Sequence, residues 1–303
     1  MVPGFHGPLV PLIGMSVTIR TATLESVQLP LLIGGRAAGP DEWDQWSEEP
    51  GHDLVALING RVVGGVHVSL VSRSEAWLEN LRVLPDAQGR GIAAQLVKEG
   101  EAVARRYGAG MARTAIPAHD YAAQAVAERA GYKPSLRCVV VEAPLPSGPT
   151  HIPYDAPVDA LAPDRAPDLL RFLESTPALA AWRRLVPLGW RFRRIVPDLM
   201  RGLLKDRRTL AALHPGAQTP AVQAAAVFAV RQDAAVVSVI DGTPSGMQAV
   251  FGAVVEAARA REATRIAVLA PDARSLEVLG VRDWAPHQWC PEGLVVVEKS
   301  LAS

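Results

Sequence analysis

Apolar and polar positions along the first half of the chain predict strands separated by helices. Residues 53–59 and 61–71 read as two strands on either side of Asn59-Gly60, a dipeptide typical of a two-residue hairpin turn. Residues 75–84 read as a further strand. Between about residues 90 and 106 apolar side chains recur close to every 3.6 positions, which predicts a long helix. Strands mixed with helices in this way indicate an α/β sheet.

The rest of the chain repeats this mixture of short strands and helices. In the first half we predict further strands over 17–21, 111–115 and 136–143, and helices within 24–34, 41–48 and 118–130. In the second half we predict strands over 222–230, 234–240 and 265–269, and helices over 244–261 and 275–279. Prolines and polar residues between about 144 and 167 have the composition of a linker. We therefore expect two domains, residues 1–146 with a flexible extension over 1–14, and residues 147–303 with the linker at their start.

Composition excludes several classes of partner. The formal net charge is zero, which gives no electrostatic reason to expect nucleic acid. The basic, aromatic segment 182–208 is read as a strand face or domain seam rather than an RNA surface. No stretch has the roughly 18 uninterrupted apolar residues that a membrane span needs, so we expect no membrane. Cys138 and Cys290 lie far apart and the histidines are scattered, so we expect reduced thiols, no metal site and a cytoplasmic protein.

The turn before the long helix has the residues of a phosphate cradle. Gly89 and Gly91 leave the backbone open to a ligand, and Gln88 and Arg90 add polar and cationic reach. A helix start offers unpaired N–H groups and the positive end of the helix dipole. A dinucleotide-binding turn is the weaker alternative, because residues 108–114, where an acidic residue would hold the ribose, contain no carboxylate.

These residues resemble the acyl-CoA-binding signature of the GCN5-related N-acetyltransferase (GNAT) superfamily, [QR]-x-x-G-x-[GA]. Gln88, Gly91 and Ala93 fill its fixed positions. The strand 77–83 before the loop and the later helix 125–132, which ends in Gly-Tyr, also match the family over residues 15–146. The resemblance implies acetyl-CoA as co-substrate, with binding residues Leu81, Arg82, Val83, Gln88, Gly89, Arg90, Gly91, Ile92 and Ala93.

The resemblance also points to a catalytic base and to a missing acid. Many relatives place a glutamate on the strand before the loop, and Glu79 matches it. By the two-residue period of a strand, Glu79 would share a face with Leu81. The alternative is a structural carboxylate paired with Arg82 or Arg113. The tyrosine that often protonates the departing thiolate is replaced by Ala127.

The second half reads as a decayed copy of the first. A shift of 155 residues lays Gly91 on Gly246 and Glu79 on Ala234. At this shift Thr243-Pro244 stands where the cradle would be, and proline has no N–H to offer a phosphate. We therefore expect two tandem GNAT-like domains, each a mixed, mostly antiparallel sheet flanked by helices. The second would support the first, wall the substrate cleft or mediate a homodimer.

The sequence as a whole predicts an N-acetyltransferase. Acetyl would pass from acetyl-CoA to a primary amine of a small molecule or amino acid by direct attack in a ternary complex, with Glu79 as base. Trp43 and Trp46 stand among acidic residues where relatives build the acceptor wall, which would suit a cationic amine. The alternative is a non-catalytic acyl-CoA-binding or protein-interaction module on a decayed scaffold.

Overall fold

The computed structural model describes residues 16–22, 51–146, 157–214, 221–231, 233–281 and 283–302. The predicted extension 1–14, the helices predicted within 24–34 and 41–48, and Trp43 and Trp46 lie outside these residues. The described chain forms two compact units that are interleaved in sequence. The first contains the described residues up to Thr114, together with Ala125–Lys133 and the residues from Glu298 onward; the second contains Ala115–Gln124 and Pro134–Val297.

The described residues up to Arg129 supply five strands and two α-helices. The strands are β1 Thr18–Thr21, β2 Gly51–Ile58, β3 Arg61–Leu70, β4 Glu75–Val83 and β5 Met111–Pro117. The helices are α1 Ile92–Arg106 and α2 Tyr121–Arg129. All the elements predicted within these described residues are confirmed, with ends that differ by a few positions.

The remaining elements follow in chain order. The strands are β6 Lys133–Pro144, β7 Val158–Asp159, β8 Leu185–Leu188, β9 Arg191–Arg194, β10 Thr209–Leu213, β11 Val222–Arg231, β12 Ala234–Gly242, β13 Arg265–Ala270, β14 Ala285–Pro286 and β15 Leu294–Ser300. The helices are α3 Ala166–Glu174, α4 Pro177–Ala181, α5 Pro197–Lys205 and α6 Pro244–Arg259. The helix predicted over 275–279 is a 3-10 helix, Arg274–Leu279, that ends at the left-handed Gly280.

The predicted hairpin between β2 and β3 is confirmed, and a bulge shifts its register. Asn59 and Gly60 both have positive φ, as a tight hairpin turn requires. The pairing runs from Ile58 opposite Arg61, but it shifts by one residue after Leu57. Without that shift, His67 would lie opposite His52. With it, Asp53 lies directly opposite His67.

A second bulge interrupts β4 where it runs beside β3. Glu79 pairs with His67 and Arg82 with Gly65, so two residues of β4 oppose one residue of β3. Asn80, inside the bulge, has a φ of 53°. Extra residues of this kind bend a strand and disrupt its ladder. The two-residue period that placed Glu79 and Leu81 on one face therefore does not apply across this bulge.

The first unit is built as a mixed sheet covered by a helix. Its strand order begins β1-β2-β3-β4-β5, with β4 and β5 parallel and the earlier pairs antiparallel. Helix α1 makes the crossover between the parallel strands, and its Ile92 and Leu96 are buried. A Cβ on Gly100 of α1 would lie 3.2 Å from Leu78 and Val68 side chains, so the helix packs closely on the sheet.

The second unit repeats this order. Strands β7, β10, β11, β12 and β13 follow one another, with β12 and β13 parallel and joined by α6. Its core lies where α6 meets the sheet and includes Phe228, Val250, Val254 and Ile266. The predicted α/β architecture, a mixed and mostly antiparallel sheet flanked by helices, is confirmed in each unit.

The structural match of the two halves corrects the sequence match. In β12 a bulge leaves Ser238 as the extra residue, and Val237 is the last paired residue before it, opposite Phe228. Val237, rather than Ala234, thus stands where Glu79 stands in β4. A single shift of 155 residues is wrong for the strands because residues 84–91 separate β4 from α1, whereas Thr243 alone separates β12 from α6. The conclusion that this position has no carboxylate still holds.

Residues from the far end of the chain complete the first unit. Lys299 Nζ lies 2.7 Å from a carboxylate oxygen of Glu101, which is buried in α1. Arg113 Nε lies 2.9 Å from Glu298, and the Leu301 N–H donates to the Gly110 carbonyl. In the second unit β6 lies beside β13. The domain boundary predicted after residue 146 stays a prediction. Each compact unit contains segments from both sides of this residue.

Candidate active site

The start of α1 is an exposed backbone site preceded by two left-handed glycines. Gly89 and Gly91 have φ values of 73° and 74°. A Cβ at either position would meet no atom within 4 Å, so glycine is required by conformation and not by space. Gly91 is the N-cap residue, no side chain caps the helix, and its first turn contains no acidic residue. The first N–H groups of α1 therefore face outward with the positive end of the helix dipole.

The polar side chains of the loop fold back onto it. Gln88 Nε2 donates to the Val83 carbonyl at 3.0 Å, and Arg90 donates to the Asp86 carbonyl at 3.3 Å. The Asp86 carboxylate in turn accepts from Arg61 at 2.8 Å. These bonds hold the loop in shape. Gln88 and Arg90 are exposed, so each side chain can exchange its backbone partner for a ligand.

The predicted binding residues divide into two kinds. The side chain of Ile92 is buried in the core, so only its backbone N–H is available to a ligand. Ala93 is half-buried. Leu81 lies within the bulge, and Arg82 and Val83 follow it at the end of β4. The loop and the start of α1 are continuous, and the binding role of these residues stays a prediction.

The backbone of β4 is open along one edge beyond its middle. Its ladder with β5 consists of three pairs among the described residues, the last joining Trp77 to Arg113. From Leu81 to Val83 the edge of β4 that faces away from β3 has no ladder partner in the described part of the chain. Such an edge presents N–H and C=O groups that can pair with an extended ligand.

Glu79 lies in a row of polar side chains that runs across three strands. The pairing places Asp53 of β2, His67 of β3 and Glu79 of β4 directly opposite one another. His67 Nδ1 lies 2.8 Å from Asp53 Oδ1, and His67 Nε2 lies 4.0 Å from Glu79 Oε1. The Ser69 hydroxyl donates to the same Glu79 oxygen at 2.6 Å. Among the alternatives for Glu79, Arg113 pairs instead with Glu75 and Glu298.

Sequence reasoning missed Asp53, His67 and Ser69 as parts of this row. The only signal was that His67 and Ser69 are two residues apart in a strand, which puts them on one face. Their alignment with Asp53 and Glu79 depends on the two bulges described above. A histidine between two carboxylates on adjacent strands was therefore not predictable from spacing.

Within the described residues, the tyrosines nearest to Ala127 in sequence are Tyr121 and Tyr132. Ala127 is buried in α2. Tyr121, at the start of the helix, is 72% exposed. Tyr132 is buried, and this burial, with the neighbouring Glu101 carboxylate, raises the pKa of its hydroxyl well above the ordinary value. The proton of Tyr132 is thus held more tightly than that of a free tyrosine.

The described residues contain no group of three or more side chains placed to hold a metal ion. Within the same residues, no helix combines the length and apolar character needed to cross a membrane.

Comparison with known proteins finds a family match over part of the chain. Residues 23–132 match the model of the acetyltransferase (GNAT) family. No protein among the curated sequences matches the chain.

Solved structures show the same tandem fold over nearly the whole chain. One is a tandem GNAT protein from the clavulanic acid biosynthesis pathway, with 16% identity, a TM-score of 0.62, and coverage of 95% of this chain and 99% of that chain. A GCN5-related N-acetyltransferase from Sphaerobacter thermophilus has 13% identity and a TM-score of 0.67, covering 95% and 96%. A putative acetyltransferase from Pyrococcus horikoshii has 14% identity and a TM-score of 0.56, covering 94% and 89%. The predicted tandem GNAT fold is confirmed. The family supports acyl-CoA N-acetyltransfer as the general chemistry.

Proposed function

We propose that this protein transfers acetyl from acetyl-CoA to a primary amine of a small molecule or amino acid. The observation that carries this proposal is the start of α1. There an uncapped, fifteen-residue helix follows two left-handed glycines. An exposed helix start of this kind binds phosphate through its N–H groups and its dipole. Acetyl-CoA offers a pyrophosphate at one end and a reactive thioester at the other.

In this proposal the co-substrate lies along the loop and the open edge of β4. The backbone N–H groups from Gly89 to Ala93 hold the pyrophosphate, the Gln88 side chain adds a polar contact, and the Arg90 guanidinium adds positive charge. The family resemblance gives Leu81, Arg82 and Val83 the pantetheine arm and the acetyl oxygen. The unpartnered edge of β4 supports this, because it offers an extended amide-bearing chain the bonds of a missing strand.

Glu79 is the proposed base. The neutral amine attacks the thioester carbonyl, the new C–N bond forms, and the C–S bond breaks with its electron pair leaving on the CoA sulfur. The surplus proton on nitrogen passes to the Glu79 carboxylate. A thiolate has a reference pKa of roughly 8.5, so it can leave without the acid that Ala127 cannot supply.

A non-catalytic acyl-CoA-binding module is the second candidate. The buried alanine at position 127 favours it, because the usual proton donor is absent from its place in α2. Both candidates require acetyl-CoA binding at the start of α1. They differ in turnover, so an amine-dependent release of CoA decides between them. A cytoplasmic location, a small-molecule acceptor and a homodimer stay predictions of the sequence.

Isothermal titration with acetyl-CoA tests the binding site. Gly91→Glu puts a carboxylate at the helix start and should abolish binding, because it repels phosphate. Gly280→Glu is the matched control: Gly280 has a φ of 70° and, like Gly91, no atom within 4 Å of an added Cβ. The control adds the same charge and similar backbone strain in the second unit, so it should bind like the parent. Failure of the parent to bind, or equal loss in both variants, would refute the site.

A further inference from the structure

In the row of Asp53, His67 and Glu79, the contact with Asp53 defines which ring nitrogen of His67 carries a proton. An ionised carboxylate only accepts hydrogen bonds, so the 2.8 Å contact with Asp53 requires that His67 Nδ1 carry a proton. The neutral imidazole then has its lone pair on Nε2. That atom lies 4.0 Å from Glu79 Oε1. A basic nitrogen is thus held behind the proposed base.

The surroundings of His67 fix this arrangement. The residue is buried, whereas Asp53 keeps 28% of its side chain exposed. A Cβ added at Gly51 would lie 2.7 Å from His67 Nε2, so the glycine leaves the space that the ring occupies. Ser69 is buried and donates to Glu79 Oε1 at 2.6 Å, which restrains the carboxylate from the same strand. The row therefore runs from a restrained carboxylate, through a buried imidazole, to a carboxylate that reaches solvent.

From this geometry, and resting on the proposed function, we infer that His67 is a positioning residue that receives the proton collected by Glu79. After the C–N bond has formed, Glu79 holds one proton taken from the product nitrogen. A shift of about 1 Å brings the protonated carboxyl within hydrogen-bond distance of Nε2. The proton moves to Nε2, the imidazolium forms beside the Asp53 carboxylate, and Glu79 is again ionised. When the products leave, Nε2 returns this proton through Glu79 to the water that enters, so His67 regains its Nδ1–H form and the cycle balances.

The first test uses the unaltered protein and needs no acceptor. Two-bond ¹⁵N–¹H spectra of the imidazoles report which ring nitrogen is protonated. We expect the His67 ring to carry its proton on Nδ1. In Asp53→Asn, where the side-chain amide can either donate or accept, the preference for Nδ1–H should be lost. A proton on Nε2, or a doubly protonated ring, in the parent would overturn the inference, because neither form can accept a proton from Glu79.

The second test measures transfer to the best amine found for the parent. His67→Ala should lower kcat at least about tenfold. This loss would be a part of the roughly 10²–10⁴-fold contribution expected of general-base catalysis. Its KM for acetyl-CoA should stay unchanged, and added imidazole should restore part of kcat. Gly51→Ala should also lower kcat, because its methyl group displaces the His67 ring. The His67 and Glu79 side chains both remain present in this variant.

Ser69→Ala is the matched control, since it removes the hydrogen bond that restrains the same Glu79 oxygen. Imidazole should not restore its rate. Rescue of both variants, or of neither, would contradict a role for His67 in proton transfer. These outcomes are separate from the proposed function, because titration with acetyl-CoA depends on the start of α1 and tautomer spectra depend on the row alone. Thermal unfolding of each variant shows whether it is folded under the assay conditions.

Discussion

Helices α1 and α6 each connect two parallel strands, and each follows a strand that contains a bulge. The two helices nevertheless begin differently. Helix α1 starts at a left-handed glycine that no side chain caps. Helix α6 starts at Thr243, whose hydroxyl accepts from the Gly246 N–H at 3.3 Å, with Pro244 in the first turn. A cap and a proline satisfy or remove the N–H groups that a ligand would use. The start of α1 therefore leaves its N–H groups open, whereas the start of α6 does not.

The strands before the two helices also differ, because β4 has a charged residue where β12 has an apolar one. In β4 the last paired residue before the bulge is Glu79, whereas in β12 it is the fully buried Val237. Asp241, near the end of β12, accepts the backbone N–H of Ala178 at the start of α4 and thus serves structure. The same framework therefore supports a polar row in one unit and an apolar core in the other. This comparison predicts where substitutions affect activity and where they affect stability.

The largest effect is expected from Glu79→Gln. The amide keeps the shape of the side chain and can still accept from Ser69, but it cannot take a proton at neutral pH. We expect kcat to fall by roughly 10²–10⁴-fold with the parent's best amine, and the Kd for acetyl-CoA to stay unchanged. Glu142→Gln, at a strand carboxylate paired with Arg265 in the second unit, is the control and should retain activity. Unaltered turnover in Glu79→Gln would rule out this base.

The next effect concerns glycines near the two helix starts. A methyl group at Gly242 would overlap the Gln223 carbonyl and Ala224, and its φ is 138°. Gly242→Ala should therefore destabilise the protein by about 3 kcal/mol or more, measured by urea unfolding. Gly91→Ala meets open space and should cost only about 1 kcal/mol for its left-handed backbone. Equal losses of stability in the two variants would mean that the two helix starts are equally constrained. That result would contradict the comparison.

A smaller effect is expected at the cap of α6. Thr243→Ala removes the side chain that accepts from Gly246, and it should destabilise the protein by about 1 kcal/mol. Acetyl-CoA binding, measured by titration, should not change because this start is not a ligand site. Thr243→Ser keeps the hydroxyl and should restore stability. A tenfold loss of binding in Thr243→Ala would show that the second helix start takes part in binding.

The smallest effect is on the pH dependence of stability. Burial, with a contribution from Arg265, lowers the pKa of His287 below 6.5, and its Nδ1 accepts from the Trp289 N–H, as the neutral ring can. The unfolded chain therefore binds this proton more readily than the folded one. Stability should fall as pH decreases through the window below 6.5. His287→Gln should flatten this slope in urea unfolding, whereas the exposed His119→Gln should leave it; an unchanged slope in His287→Gln would contradict the assignment.

The elements that were predicted in both units have local signals. The Asn59-Gly60 turn fixes a hairpin through its positive φ angles, and the 3.6-residue period of α1 follows from one face that packs on the sheet. Gln88 and the glycines of the loop marked the candidate binding site for a similar reason, since a helix start needs no distant partner to expose its N–H groups. The start of α6 is likewise local, because Thr243 and Pro244 are adjacent residues.

The polar row and the makeup of the first unit were decided by tertiary structure. Bulges in the β2–β3 and β3–β4 ladders set which residues face His67, and a shift of one position would have put His52 opposite it. Residues Glu298 to Leu301 join the first unit through Glu101, Arg113 and Gly110, far away in sequence. Local patterns therefore determined the elements and the helix start of this protein. Strand register and long-range pairing depend on the packing of the whole sheet, and so only the folded chain decided what stands beside Glu79.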